Sequence, residues 1–228
     1  MKGMRRLVLS ALFLVSCQTL PAIKSPAPPA ESKALTCPSP FLKEPYRLVH
    51  AIEVRLGGDT KSAILGVTVA DPVDRFISCA IMTAEGLVLF EAQANPVLKI
   101  VRALPPFDSA DFARNMIDDI KLIFFAPEGE LQQIGTLADG STICRWRGEG
   151  GYWIDVIARQ PEGIEINKYS VYGGLKRRIK LNRTEDNVYS SVELTANEFF
   201  NYSLIMTMIE AVSMEGEMKN EKSKGAEE

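Results

Sequence analysis

The chain has 228 residues, 46% hydrophobic and 24% charged, with a formal net charge of −3 from 26 Lys+Arg against 29 Asp+Glu. That composition belongs to an ordinary globular protein with room for one domain and a real core. The acidic balance gives no electrostatic case for nucleic acid, and a single histidine without any zinc-type or redox spacing argues against a metal centre.

The chain opens as a leader. Lys2, Arg5 and Arg6 precede an apolar run from Leu7 to Val15, of signal-peptide rather than membrane-spanning length. The run ends in Leu14-Val15-Ser16-Cys17, which resembles the lipobox of bacterial lipoproteins. In such a sequence the thiol takes diacylglycerol, the chain is cut before the cysteine, and the new amino group is acylated, commonly with palmitate. The expectation is a signal peptide over residues 1–16 and a lipid-anchored Cys17. Losing that leader leaves 23 basic against 29 acidic residues, a net −6, so any grip of the mature chain on lipid should be apolar rather than ionic.

Residues 17–45 form the lipidated cysteine and a tether. Pro21, Pro26, Pro28, Pro29, Pro38, Pro40 and Pro45 crowd it, which predicts a semi-extended spacer holding the domain off the membrane. Gln18 stands where an Asp in well-studied lipoproteins favours inner-membrane retention. The expected location is therefore the bacterial cell envelope, at the outer membrane and facing the periplasm.

From Tyr46 the dominant period is two. Tyr46, Leu48, His50, Ile52, Val54 and Leu56 fall on one face, and Gly57-Gly58-Asp59 reads as a hairpin turn. Ala63, Leu65, Val67 and Val69 supply the next apolar face, followed by strands over Arg75–Thr83, Leu87–Gln93 and Val97–Ala103. Leu104-Pro105-Pro106-Phe107 stops the sheet. Asp108 is the expected N-cap of a helix reaching about Phe125, with a stripe of Phe112, Met116, Ile117, Ile120, Ile123 and Phe124. Strand patterns resume at Leu131–Leu137, Thr142–Arg147, Tyr152–Arg159, Gly163–Ser170, Leu175–Asn182, Tyr189–Thr195 and Tyr202–Ala211, between turns such as Asp139-Gly140 and Gly173-Gly174. The last segment also fits a helix, but its β-branched residues favour a strand. Gly216 to Glu228 is charged and has Met218 as its one large apolar residue, so residues 215–228 read as a solvated tail.

The predicted domain, residues 46–214, is thus mainly β (α+β), an antiparallel curved sheet or half-open β-barrel with one main amphipathic helix on its concave side. A lipobox, a Pro-rich tether and an antiparallel sheet interrupted once by a helix resemble the LolA/LolB lipoprotein-localisation fold. Gly86-Leu87-Val88-Leu89-Phe90-Glu91 and Val101-Arg102-Ala103-Leu104-Pro105-Pro106-Phe107 also resemble a group of bacterial lipoproteins with this fold, some of them found with machinery that builds outer-membrane polyene lipids. The resemblance implies an apolar cavity that holds acyl chains.

The residues expected to line it are Leu48, His50, Ile52, Val54, Leu65, Val67, Phe112, Met116, Ile120 and Phe124. One helix of this length covers only about 25 Å of sheet, and an uncovered remainder would form a groove worth about 0.8 kcal/mol per buried CH₂. The alternative is a stripe that simply fills the barrel. Lys176, Arg177 and Arg178, with Lys180 and Arg183 nearby, read as a solvated cluster or as a patch for a phosphate headgroup or acidic partner. Trp146, Tyr152 and Trp153 read as packing at a barrel end or as an interfacial rim. Asp118-Asp119 is expected on the helix's solvent face.

Of the remaining cysteines, Cys79 and Cys144 each read as a buried, inert thiol. A bridge from Cys37 to either of them is the open alternative in an oxidising compartment. His50 lacks any recognisable nucleophile or orienting acid, so no catalytic residues, no metal and no cofactor are expected. The expected partners are the membrane through Cys17, an acyl-chain or lipoprotein ligand, and an envelope protein, with no nucleic acid. Two roles remain: an acyl-binding carrier, and a scaffold that binds a protein partner and no lipid.

Overall fold

The computed structural model describes residues 20–25, 35–159, 163–183, 189–197 and 201–214. Cys17, the leader, the tail and the Glu185-Asp186-Asn187 turn lie outside these residues.

Five strands come first: β1 (Tyr46–Leu56), β2 (Asp59–Asp71), β3 (Phe76–Met82), β4 (Val88–Asn95) and β5 (Val97–Ala103). Helix α1 (Ala110–Phe124) follows. Seven more strands follow among the described residues: β6 (Glu130–Thr136), β7 (Thr142–Arg147), β8 (Trp153–Arg159), β9 (Gly163–Tyr169), β10 (Leu175–Arg183), β11 (Tyr189–Ala196) and β12 (Tyr202–Ser213). The segment at Tyr202 is a strand, not a helix.

All twelve strands belong to one sheet in the order β5-β4-β3-β2-β1-β12-β11-β10-β9-β8-β7-β6. Two antiparallel meanders therefore meet at β1 and β12, paired from Tyr46 opposite Ser213 to Leu56 opposite Tyr202 with a register shift between Val49 and His50. The strands joined by α1, β5 and β6, occupy the two edges. A sheet this wide curls under its own strand twist, and the helix linking its edges lies across the hollow. Glycine turns let the strands reverse tightly: Gly57 and Gly58 both adopt positive φ (61° and 91°), the conformation a two-residue hairpin requires.

The helix is capped by Ser109, whose Oγ accepts the Phe112 amide at 3.1 Å. Asp108 was the expected cap, but Ser109 has the extended backbone that lets its side chain turn back. Phe112 packs edge-on against Phe90 at 5.3 Å, and Met116 Sδ lies 3.8 Å from Cys79 Sγ. Leu48, Ile77, Phe90, Ile179, Leu181 and Leu194 are fully buried beneath the helix in the main core. A second, small cluster of Leu137, Ile143 and Ile157 sits on the opposite face of β7 and β8.

The Pro-rich stretch departs from a free spacer. Lys24 pairs with Thr136 on the β6 edge (N–O distances 2.9 and 3.0 Å), and Ile23 packs on the outer cluster. Further along, Cys37 is disulfide-bonded to Cys144, Phe41 is buried in the main core, and the Leu42 amide donates to Phe124 O at 3.0 Å. Proline bars these residues from the sheet's interior but not from docking on it. Cys144 is accordingly half of a disulfide rather than a thiol, whereas Cys79 is free and buried, its pKa pushed up to about 12 by desolvation.

Candidate functional site

Burial along three neighbouring strands locates the site. On β1 the inward residues run from buried Leu48 and His50 through half-buried Ile52 and Val54 to Leu56, which is 44% exposed. On β2 the sequence runs from Thr68 and Gly66, buried, to Ile64, half-buried, and on β12 from buried Met206 to half-buried Leu204 and Tyr202. The inner face therefore opens toward the β1–β2 turn. Between it and α1 lies a cavity of about 330 Å³, within the size range of small-ligand sites.

His50, Thr68, Cys79, Ile120, Ile123 and Phe124 form buried wall, while Val54, Leu56, Asn115, Tyr202 and Leu204 border the mouth. The lining is overwhelmingly apolar.

Of the residues expected to line such a space, His50, Ile52, Val54, Phe112, Met116, Ile120 and Phe124 are on this wall. Leu48 lies deeper, in solid core. Leu65 and Val67 are on the other face of β2, a correction with a clear cause. The hairpin starts with Leu56 opposite Asp59 and Arg55 opposite Thr60, but a bulge then places Val54 opposite Ser62, Ile52 opposite Ile64 and His50 opposite Gly66. One extra residue reverses which side chains of β2 face inward.

The basic cluster is divided by the same alternation. Lys176 and Arg178 point outward and are exposed, Arg178 lying 3.7 Å from Glu165. Arg177 points inward, 5% exposed, with its Nε donating to Asp119 Oδ1 at 2.8 Å. Tyr202 donates its hydroxyl to Asp119 Oδ2 at 3.2 Å. Asp118 is exposed but Asp119 is buried at the cavity wall, so the pair does not share the helix's solvent face. Asp119 stands three residues after Met116 and four before Ile123, on the apolar stripe itself. Desolvation raises its pKa, opposed by the Arg177 charge and hydrogen bond.

Trp146 and Tyr152 pack against the main core, while Arg147 lies over Trp153 and Lys168 over Tyr152, each 4.9 Å from the ring. These aromatics are held by the protein itself.

His50 is 3% exposed, and its Nε2 has no hydrogen-bonding partner among the described residues. Desolvation lowers its pKa from 6.5 to about 4, so the imidazole is neutral at ordinary pH.

No protein-family model matches the chain, and no curated protein matches it by sequence. Solved structures do. A LolA superfamily protein from Nitrosomonas europaea is 10% identical with a TM-score of 0.50, over 75% of this chain and 86% of that one. A domain provisionally described as an outer membrane lipoprotein-sorting protein, from Vibrio parahaemolyticus, is also 10% identical, with a TM-score of 0.41 over 76% and 86%. The fold is LolA-like: an unclosed, curved antiparallel sheet around one helix.

Proposed function

We propose that this chain is a lipid-anchored lipoprotein of the cell envelope, held at the outer membrane through Cys17, that takes an acyl chain of a lipid or lipoprotein into the cavity under α1 for transport or assembly. The observation that carries the reading is the apolar cavity of about 330 Å³ open at the β1–β2 end. A fold that only needed a core would fill that space with side chains, since protein interiors pack as densely as organic crystals. Burial of an acyl chain at about 0.8 kcal/mol per CH₂ makes capture from a membrane favourable. The LolA superfamily likeness agrees with such a role. Asp119, the one carboxylate of the wall among the described residues, is committed to Arg177 and Tyr202.

The test is native mass spectrometry with lipid extraction on the periplasmically expressed chain carrying Cys17→Ser. A stoichiometric acyl ligand is the expected result. A compact domain that emerges empty, and stays empty when offered fatty acids, overturns the carrier reading. The scaffold alternative would then stand on the β5 edge, where Val97 and Val101 are 78% and 50% exposed, a strand edge open to pairing with another protein.

A further inference from the structure

The cavity wall is apolar except at a few points, and nearly all of these are satisfied or lie near the mouth. Asp119 is bonded on both oxygens, and Asn115 and Tyr202 border the opening. His50 differs. It is part of the buried wall, opposite Gly66 on β2 and beside Phe124 of the helix with ring centroids 6.1 Å apart. Its Nε2 is the one buried side-chain nitrogen or oxygen of the wall left without a partner among the described residues. An apolar side chain would serve the fold better there, because an unmet buried polar atom is costly. Its cross-strand partner Gly66 has no side chain, and Ile52 Cδ1 lies over that glycine, 2.6 Å from where a Cβ would stand.

We infer that the cavity is specific for an acyl chain bearing a hydroxyl group, which hydrogen-bonds to His50 Nε2. A neutral imidazole carries one N–H and one lone pair, and Nε2 has one or the other depending on tautomer. A hydroxyl is both donor and acceptor, so it satisfies either form. A plain hydrocarbon chain leaves Nε2 unmet, and an ionised carboxylate pays heavily for desolvation in so apolar a space. The inference rests on the carrier reading and narrows it to a ligand class.

The test is displacement of a fluorescent fatty acid from the delipidated Cys17→Ser protein. Its competitors are stearic acid and hydroxystearic acids with the hydroxyl beside the carboxyl group, at mid-chain and near the methyl end. At least one hydroxy isomer should compete about tenfold better than stearic acid, the value of a buried polar atom satisfied rather than unmet. That preference should vanish in His50→Phe while stearic acid still binds. His50→Met serves the same purpose if the phenylalanine variant fails to fold. Equal competition by every isomer in the wild-type protein overturns the inference and leaves the carrier reading intact, as does a preference that survives both substitutions. Binding of no fatty acid at all overturns both.

Discussion

Two of the buried polar residues on the cavity wall, His50 and Asp119, show how far a single side chain depends on its surroundings. His50 is kept neutral by desolvation, with a pKa of about 4 against 6.5 in the unfolded chain. Between those values the unfolded state binds a proton that the native state refuses, so stability falls as pH drops from about 6.5 to about 4 and levels off below. At 1.36 kcal/mol per unit the full loss is roughly 3 kcal/mol. Asp119, its pKa raised by burial, acts in the opposite sense, since its native form gains a proton more readily than its unfolded form. Urea unfolding of wild type and His50→Phe from neutral pH to pH 4 separates the two. The gap between the curves should shift by about 3 kcal/mol in favour of the variant, and parallel curves would show that His50 does not titrate this way. The sequence carried both signals unequally. His50 stood on an apolar strand face and was legible as a pocket residue. Asp119 was equally placed on the helical stripe, but its neighbour Asp118 made the two read as one solvated pair.

At the scale of elements, period-two alternation identified the strands because each has one face on the core. It misplaced the inner face of β2, where Ala63, Leu65, Val67 and Val69 are the more apolar set. The cavity side of that strand instead holds Ile64, Gly66 and Thr68. A strand facing a void can carry small and polar residues, so hydrophobicity pointed to the wrong face, and only the bulge after Val54 reveals the true one. Docking of the Pro-rich stretch was hidden for another reason: proline composition reports what a segment cannot form, not what it can lie against. That docking protects the β6 edge. It also requires Gly135, where an added Cβ would lie 2.3 Å from Lys24 O and 2.5 Å from Ile23 Cγ2. Gly135→Ala should push this segment from the edge while the Cys37–Cys144 bridge still holds the next one. Limited trypsin digestion should then cut after Lys24 much faster than in wild type, with the remaining sheet intact. Unchanged cleavage would mean that the segment adapts and stays in place.

For the whole molecule, the topology places the helix and the cavity together in one hollow. Two meanders joined through β1 and β12 leave their outer strands unpaired with each other, and the link between those strands has to cross the concave face. Fifteen residues of helix give about 22 Å, too little to cover twelve strands, so part of the face stays uncovered at the β1–β2 end. Substitution at Leu204, half-buried at the mouth, tests whether this space is open. In a packed core Leu→Trp forces strain and costs about 1–3 kcal/mol. Beside a void, the indole occupies empty volume and the cost approaches zero. Leu204→Trp should therefore leave urea stability within about 0.5 kcal/mol of wild type, a change ordinary for a substitution whose added atoms enter open space. The same variant should lose ligand-linked stabilisation. At a ligand concentration one hundred times Kd, the wild-type protein gains about 2.7 kcal/mol, seen as a rise in Tm, and the variant should gain almost none. Destabilisation by more than 1 kcal/mol with no wild-type response to fatty acid would show a hollow already filled by side chains. Stability unchanged together with lost ligand response would show that the same volume which makes the fold incomplete is the volume it uses.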